Sequence, residues 1–297
     1  MNSTLLRKVV GAEARIVHCS LVFLCAAMLA ISCCTAVAQN LPASTVGIDT
    51  APRKQPGVRA TGYLPIGASD YISMIPPYPA FQSLADDADV AEVRQWQQTG
   101  DARWQLAQAD AQVSYERFAE VYGSAINPTA APLLVHLLDR VEANLSMVMG
   151  SAKSFYNRPR PYQRFQMNRV CGFDSAPVAE TSPKSGNSYP SGHATYGWSV
   201  AMILARVAPE RAQVILARGR EYGESRMVCG VHFPSDVHAG EILVSTVIGR
   251  IQDLPEFRRE LGCAMQERAV AMKVSENLEG ECLTLKNGLE PKAEAAR

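Results

Sequence analysis

The chain is 297 residues long, with 29 basic and 29 acidic side chains, 47% hydrophobic residues and eight cysteines. That length supports one large domain with a substantial core or two small ones. Neither an internal repeat nor a second composition regime divides it, so one domain is expected. Balanced charge excludes the broad basic footprint of a nucleic-acid binder.

Taken in chain order, residues 1–38 are set aside first. Arg7, Lys8 and Arg15 form a positive start, a mostly apolar stretch runs from Ile16 to Ile31, and Ala36-Val37-Ala38 offers a small-x-small cleavage site before Gln39. This is the layout of a secretory signal peptide. The apolar run is shorter than the roughly 20 residues that span a bilayer, which argues against a retained anchor. A lipoprotein site at Cys33 fits poorly, because Ala30 stands where leucine is preferred. Cleavage would leave about 259 residues with a net charge of about −2, since three basic residues and one acidic residue depart.

Residues 39–62 hold Pro42, Pro52, Pro56, Gly57 and Gly62 without an apolar period, and are expected to be an extended lead-in. Pro76-Pro77-Tyr78-Pro79 cannot be helical throughout. Helices are predicted over 82–98 and 101–121, parted by Thr99-Gly100-Asp101 as a stop glycine and an N-cap aspartate. A third runs over 130–153, where Leu133, Leu134, Leu137, Leu138, Val141, Leu145 and Val148 form one broad stripe. Residues 158–190 contain Pro159, Pro161, Pro177, Pro183 and Pro190 and are read as a long functional loop. Further helices are predicted at 191–207, 209–223, 234–251 and 255–273, and residues 274–297 are left as a tail. No alternating strand pattern appears. The expected fold is all-α: a single-domain helical bundle over 63–273, with a long loop between the first and second of three motifs.

Three segments carry chemistry. The first is Lys153-x6-Arg160-Pro161, in which two cations can converge on one anion from nearly one side. In the second, Pro190-Ser191-Gly192-His193, Ser191 is a candidate N-cap and the following amides can bind phosphate at a helix N-terminus. Gly192 lets an anion approach the backbone, and His193 is placed to donate a proton. The third is Ser225-Arg226-x5-His232-x3-Asp236, where Arg226 adds a cation and Asp236 can accept a hydrogen bond from the His232 ring. Each alone is weak: a basic patch, a structural histidine, a capping aspartate. Together they supply a nucleophile, an acid and a cage for phosphotransfer.

Removal of the signal takes Cys19, Cys25, Cys33 and Cys34, and leaves Cys171, Cys229, Cys263 and Cys282. An even set in an exported chain predicts disulfides. Of three pairings, Cys171–Cys229 is favoured because each lies near a motif and the motifs must meet; Cys263–Cys282 would then pin the C-terminal segment. No CxxC pair is present and the spacings are wide, against a zinc site.

With these motifs the chain resembles the bacterial class A non-specific acid phosphatases, of the type 2 phosphatidic acid phosphatase and vanadium haloperoxidase superfamily. Every defined motif position is present, and the likeness extends to Pro76-Pro77, Ser188-Tyr189 and Cys229-Gly230, covering about residues 63–268. Asn187 and Ala194 depart from the glycine and threonine common in class A, and His238 stands where relatives often carry a carboxylate. The resemblance implies that His232 becomes a phosphohistidine and that Asp236 orients it. His193 would protonate the leaving alkoxide and then activate water. Lys153, Arg160, Arg226, Ser191 and the Gly192 amide would hold the phosphoryl oxygens.

The resemblance further implies no metal or other cofactor, a small phosphate ester as substrate, an acid optimum and a periplasmic or secreted location. No nucleic acid partner and no membrane insertion after cleavage are expected; helical relatives of this size often form homo-oligomers. A nucleotide pyrophosphatase, a lipid phosphate phosphatase, a vanadium haloperoxidase and a non-catalytic phosphate binder are the alternatives that share such a site. His136 is read as packed and His238 as a surface residue. Tyr71, Tyr78, Tyr162 and Tyr189 are candidates for a lid, each also explained by packing.

Overall fold

A computed structural model describes residues 60–64, 72–172 and 187–289, all within one compact unit, Pro52–Arg297. The signal segment 1–38, most of the lead-in, Tyr71, residues 173–186 of the long loop and the last eight residues lie outside the described residues.

The helices in chain order are α1 (Leu84–Trp96), α2 (Asp101–Asp110), a 3-10 turn Tyr115–Phe118 leading into α3 (Ala119–Tyr122), α4 (Pro132–Tyr156), α5 (Pro161–Arg164), α6 (Gly192–Val207), α7 (Ala212–Val228) after a 3-10 turn Pro209–Arg211, α8 (Pro234–Ile251), α9 (Pro255–Ala271) and α10 (Gly280–Leu289). The described residues contain no strand. The all-α expectation holds, with local corrections.

Gly100, not Asp101, is the N-cap of α2, and Asp101 occupies its first turn. The helix expected over 101–121 is broken after Asp110. Ser114 then accepts the Glu116 amide at 3.2 Å and starts a separate turn. Inside the loop expected over 158–190, Pro161 opens the short α5. Part of the expected tail is helical: α10 is joined to α9 by the Cys263–Cys282 disulfide.

The stripe on α4 is the centre of the core, where Leu134, Leu137, Leu138, Val141, Leu145 and Val148 pack with Val200, Ile203 and Leu204 of α6 and Leu243, Val244 and Val247 of α8. The N-terminus of α4 has no side-chain cap of its own. Glu267 of α9 supplies one, its two carboxylate oxygens accepting the Leu133 and Leu134 amides at 3.0 Å each. At the other end Asn157 takes a left-handed conformation (φ 44°) that asparagine tolerates, and the chain leaves the helix at Arg158.

Small residues set how closely α6, α7 and α8 approach, and these three helices carry His193, Arg226 and Asp236. A Cβ on Gly219 would lie 2.5 Å from Ala201 Cβ, whereas one on Gly249 would meet nothing within 4 Å. Gly219→Ala is therefore expected to cost ~1–3 kcal/mol through overpacking. Gly249→Ala should stabilise by ~0.5–1 kcal/mol through its helical preference. Urea unfolding of the two variants checks this, and equal effects would show that the α6–α7 contact is not tight.

Candidate active site

The three motifs meet at one end of the bundle, joined through the backbone. The Ser188 amide donates to Arg158 O at 2.9 Å, tying the second segment to the first, and the Ser191 amide donates to Asp236 O at 2.9 Å, tying it to the third. Arg160 Nη1 donates to Val231 O at 3.0 Å, which closes the circuit. Both expected disulfides are formed. Cys171–Cys229 spans 58 residues beside the third motif, and the Cys171 amide donates to Cys229 O at 3.2 Å.

His232 ends the loop after α7 and is 2% exposed. Its Nδ1 lies 3.3 Å from Asp236 Oδ2 and 3.4 Å from Ser188 Oγ, and its Nε2 lies 3.2 Å from Arg160 Nη1. A guanidinium can only donate, so Nε2 must accept and the ring proton belongs on Nδ1. Burial, and then the charges of Arg160, Lys153 and Arg226, push the His232 pKa well below its ordinary value. The ring is neutral, with its lone pair on Nε2.

His193 stands in the first turn of α6, where Ser191 is the N-cap and accepts the Ala194 amide at 3.3 Å. Its Nε2 meets Ala111 O at 3.1 Å, and Tyr222 stacks on its ring at 6.3 Å between centroids. A carbonyl can only accept, so Nε2 carries a proton and Nδ1 is the nitrogen free to exchange one. Burial and then the Arg226 charge push His193 down to about 3.

Gly192 has a role besides the one its motif suggests. A Cβ there would lie 2.8 Å from Met149 Sδ, so glycine also makes room for that side chain at the start of α6, while Lys153 Cε at 3.8 Å is in ordinary contact.

Lys153, Arg160 and Arg226 have neutral partners. Lys153 Nζ donates to Asn187 O at 2.7 Å, Arg160 to Val231 O, and Arg226 Nη1 faces Cys229 Sγ at 3.5 Å while its buried Nε has no partner. Among the described residues none of the three forms a salt bridge with a carboxylate. Burial and then the Arg160 charge push Lys153 down to about 7, and burial takes Arg226 down to about 10. Such a set has its charge in reserve for an anion.

The carboxylates stand one layer behind. Asp110, fully buried, pairs with Arg218 and Arg117 and accepts from Ser225 Oγ at 2.7 Å, beneath Arg226. Asp89 and Asp86 face Arg158 and Arg164. Sequence reasoning missed Arg158, Asp89, Asp110 and the Ala111 carbonyl. Only Arg158, two residues before Arg160, had a signal within reach.

Of the lid candidates, Tyr189 is buried and donates to Pro76 O, while Tyr78 packs on Tyr156 and Tyr189, so both are packing residues. Tyr162 packs beside the cluster of Val93, Met167 and Phe233. His136 lies 3.6 Å from Glu260, and His238 is 71% exposed beside Glu241.

Residues 141–252 match the PAP2 superfamily, a span that contains all three motifs. A non-specific acid phosphatase of Salmonella typhimurium is 36% identical over 178 residues, covering 57% of this chain and 67% of that protein. An acid phosphatase of Zymomonas mobilis is 34% identical over 67% of this chain and 75% of its own length. For a non-specific acid phosphatase of Providencia stuartii the figures are 33%, 69% and 84%. The chain belongs to the acid phosphatases of the PAP2 superfamily. In this PAP2 acid phosphatase no described helix is long and apolar enough to cross a membrane.

The depressed pKa values have a measurable consequence. Lys153 and His193 sit below their ordinary values of 10.5 and 6.5, so the unfolded chain binds more protons than the folded one. Folded-state stability is therefore lost as pH falls from 10.5 to about 7 through Lys153, and again from 6.5 to about 3 through His193. A dianion held among the cations reverses both shifts and takes up protons on binding. Sulfate, whose charge is constant over this range, should raise Tm more at pH 5 than at pH 9. Calorimetry in buffers of different ionisation enthalpy should show net proton uptake. Equal Tm increments and no uptake would show that the site does not bind the dianion.

Proposed function

We propose that this acid phosphatase hydrolyses phosphomonoesters by double displacement through a phosphohistidine on His232. The observation that carries this is the pair of contacts on the His232 ring. Asp236 and Ser188 hold Nδ1, and Arg160, a cation of the phosphate cage, is the partner of Nε2. The atom with the lone pair therefore lies beside the group that would hold the phosphoryl oxygens.

In the first step His232 Nε2 bonds to phosphorus as the ester P–O bond breaks, and the leaving oxygen takes a proton from His193 Nδ1. In the second, His193 Nδ1 removes a proton from water while its oxygen bonds to phosphorus, the N–P bond breaks and inorganic phosphate departs. Lys153, Arg160 and Arg226, with the Ser191 hydroxyl and the Gly192 amide, hold the equatorial oxygens, where charge is spread in the transition state. His193 must be protonated and His232 neutral at the start. The first requirement favours acidic pH once the substrate dianion draws the His193 pKa upward, and the depressed His232 pKa keeps the second satisfied there.

Export to the periplasm or beyond is part of the same proposal. It is supported by the signal-like segment and by two disulfides, which persist in oxidising compartments.

The test is p-nitrophenyl phosphate hydrolysis by the mature chain with chelator present. His232→Ala should lose ~10³-fold or more in kcat while remaining folded. His193→Ala should separate the two steps. Nitrophenolate leaves without a proton, so a burst of one equivalent is expected, followed by slow turnover as the phosphohistidine waits for water. With an alkyl phosphate the same variant should show no burst and a loss of ~10²–10⁴-fold. Full activity of His232→Ala would exclude this nucleophile.

A further inference from the structure

The motif residues leave one strongly buried cation without a task. Arg158 is 1% exposed, with its guanidinium 4.1 Å from the centroid of the Phe233 ring. Its Nη1 donates to Asp236 Oδ1 and to Ser235 Oγ, each at 2.7 Å, and its Nη2 donates to Asp89 Oδ2 at 2.8 Å. The Asp236 carboxylate is thereby divided. Oδ1 belongs to Arg158. Oδ2 accepts the Phe233 amide at 2.8 Å and the Ser188 hydroxyl at 2.6 Å, and faces His232 Nδ1.

A carboxylate buried as deeply as Asp236 (0% exposed) and deprived of its counter-charge neutralises itself by taking a proton. Protonated, it donates to the ring instead of accepting from it. The ring proton then moves to Nε2, the atom that has to attack phosphorus. We propose that Arg158 is a positioning residue of the phosphotransfer: paired with Asp236, it keeps that carboxylate an acceptor and so fixes His232 as the Nδ1–H tautomer. This rests on the phosphohistidine mechanism proposed above. Asp89 anchors the guanidinium from the far side, and Ser235, whose amide donates to Asp89 Oδ1 at 3.1 Å, holds that anchor to the start of α8.

The charged and titratable groups around Asp236 are Arg158 itself, His232, Lys153, Arg160, Asp89 and Tyr189. Of these only Arg158 forms a direct ion pair with Asp236 that does not depend on pH in the working range. Loss of that pair should consequently appear as a pH effect.

The experiment compares pH profiles of kcat and KM for the wild type, Arg158→Met and Arg158→Lys, with His232→Ala alongside. Arg158→Met should lose ~10²–10⁴-fold in kcat near neutral pH, the scale of a wrong histidine tautomer. Its KM should stay within about threefold, because the phosphate cage is untouched. Its rate should recover with rising pH, moving the acid limb upward. Arg158→Lys should return the limb to the wild-type position. A loss equal at every pH, or a lysine variant with the methionine profile, would show that Arg158 only packs.

Should Arg158→Met fail to fold, nitrogen-15 spectra of histidine-labelled wild type decide. The Nδ1–H form of His232 is expected, and the Nε2–H form would reject the proposal. Inactivity of His232→Ala beside an unshifted Arg158→Met profile rejects this proposal alone; activity of His232→Ala rejects the parent mechanism.

Discussion

Three cations and two histidines are held within reach of one another, and the chain must do this without neutralising them. Lys153, Arg160 and Arg226 meet only uncharged groups, the Asn187 and Val231 carbonyls and the Cys229 sulfur, and the Arg226 Nε is left without a partner. Their repulsion is tolerated because the carboxylates stand one layer back, committed to other arginines: Asp236 and Asp89 to Arg158, Asp110 to Arg218. Had an aspartate faced Lys153 directly, the cage would have been a salt bridge and the phosphoryl group a competitor for it. The second layer supplies long-range compensation and leaves the first layer's hydrogen-bonding capacity to the ligand.

Burial supplies the other half of this arrangement. It holds His232 neutral and ready to attack, and it lowers Lys153 and His193, the two groups that must regain protons when an anion arrives. The approach of substrate therefore charges the general acid at the point where it is needed. The helix ends share the work. The start of α6 presents its amides beside Lys153, and the carbonyl of Ala111, just past α2, accepts from His193 Nε2 and reserves Nδ1 for the reaction.

Much of this was legible because the chemistry is carried by residue type and local spacing. The four-residue step from His232 to Asp236 crosses the N-cap of α8 and brings the carboxylate back to the ring, and Ser191 and Pro234 mark their helix starts as such residues should. The disulfide Cys171–Cys229 followed from the requirement that the motifs meet. Ion pairs between segments distant in sequence were not legible. Asp89 meets Arg158 across 69 residues, and Asp110 meets Arg218 across 108. Nothing in their neighbourhoods separates these aspartates from solvent-facing ones such as Asp87. The break after Asp110 was missed for a related reason. Helical propensity runs on through 101–121, but Ser114 competes for the backbone and the packing beneath His193 decides where α2 stops.

A buried pair such as Arg158–Asp236 is poor value as a stabilising device, since desolvation of two charges offsets most of their attraction and an apolar replacement often serves as well. The surroundings here are nevertheless built around it: Phe233 and Tyr78 cover the guanidinium, Asp89 and Ser235 satisfy its remaining donors, and Asp236 also accepts the Phe233 amide and the Ser188 hydroxyl. The hydrogen bonds to the Asp236 carboxylate point one way: it accepts from Arg158, the Ser188 hydroxyl and the Phe233 amide. A network with that single polarity fixes where protons can reside more firmly than it fixes where helices pack. Its geometry is explained better by the tautomer of His232 than by the stability of the bundle.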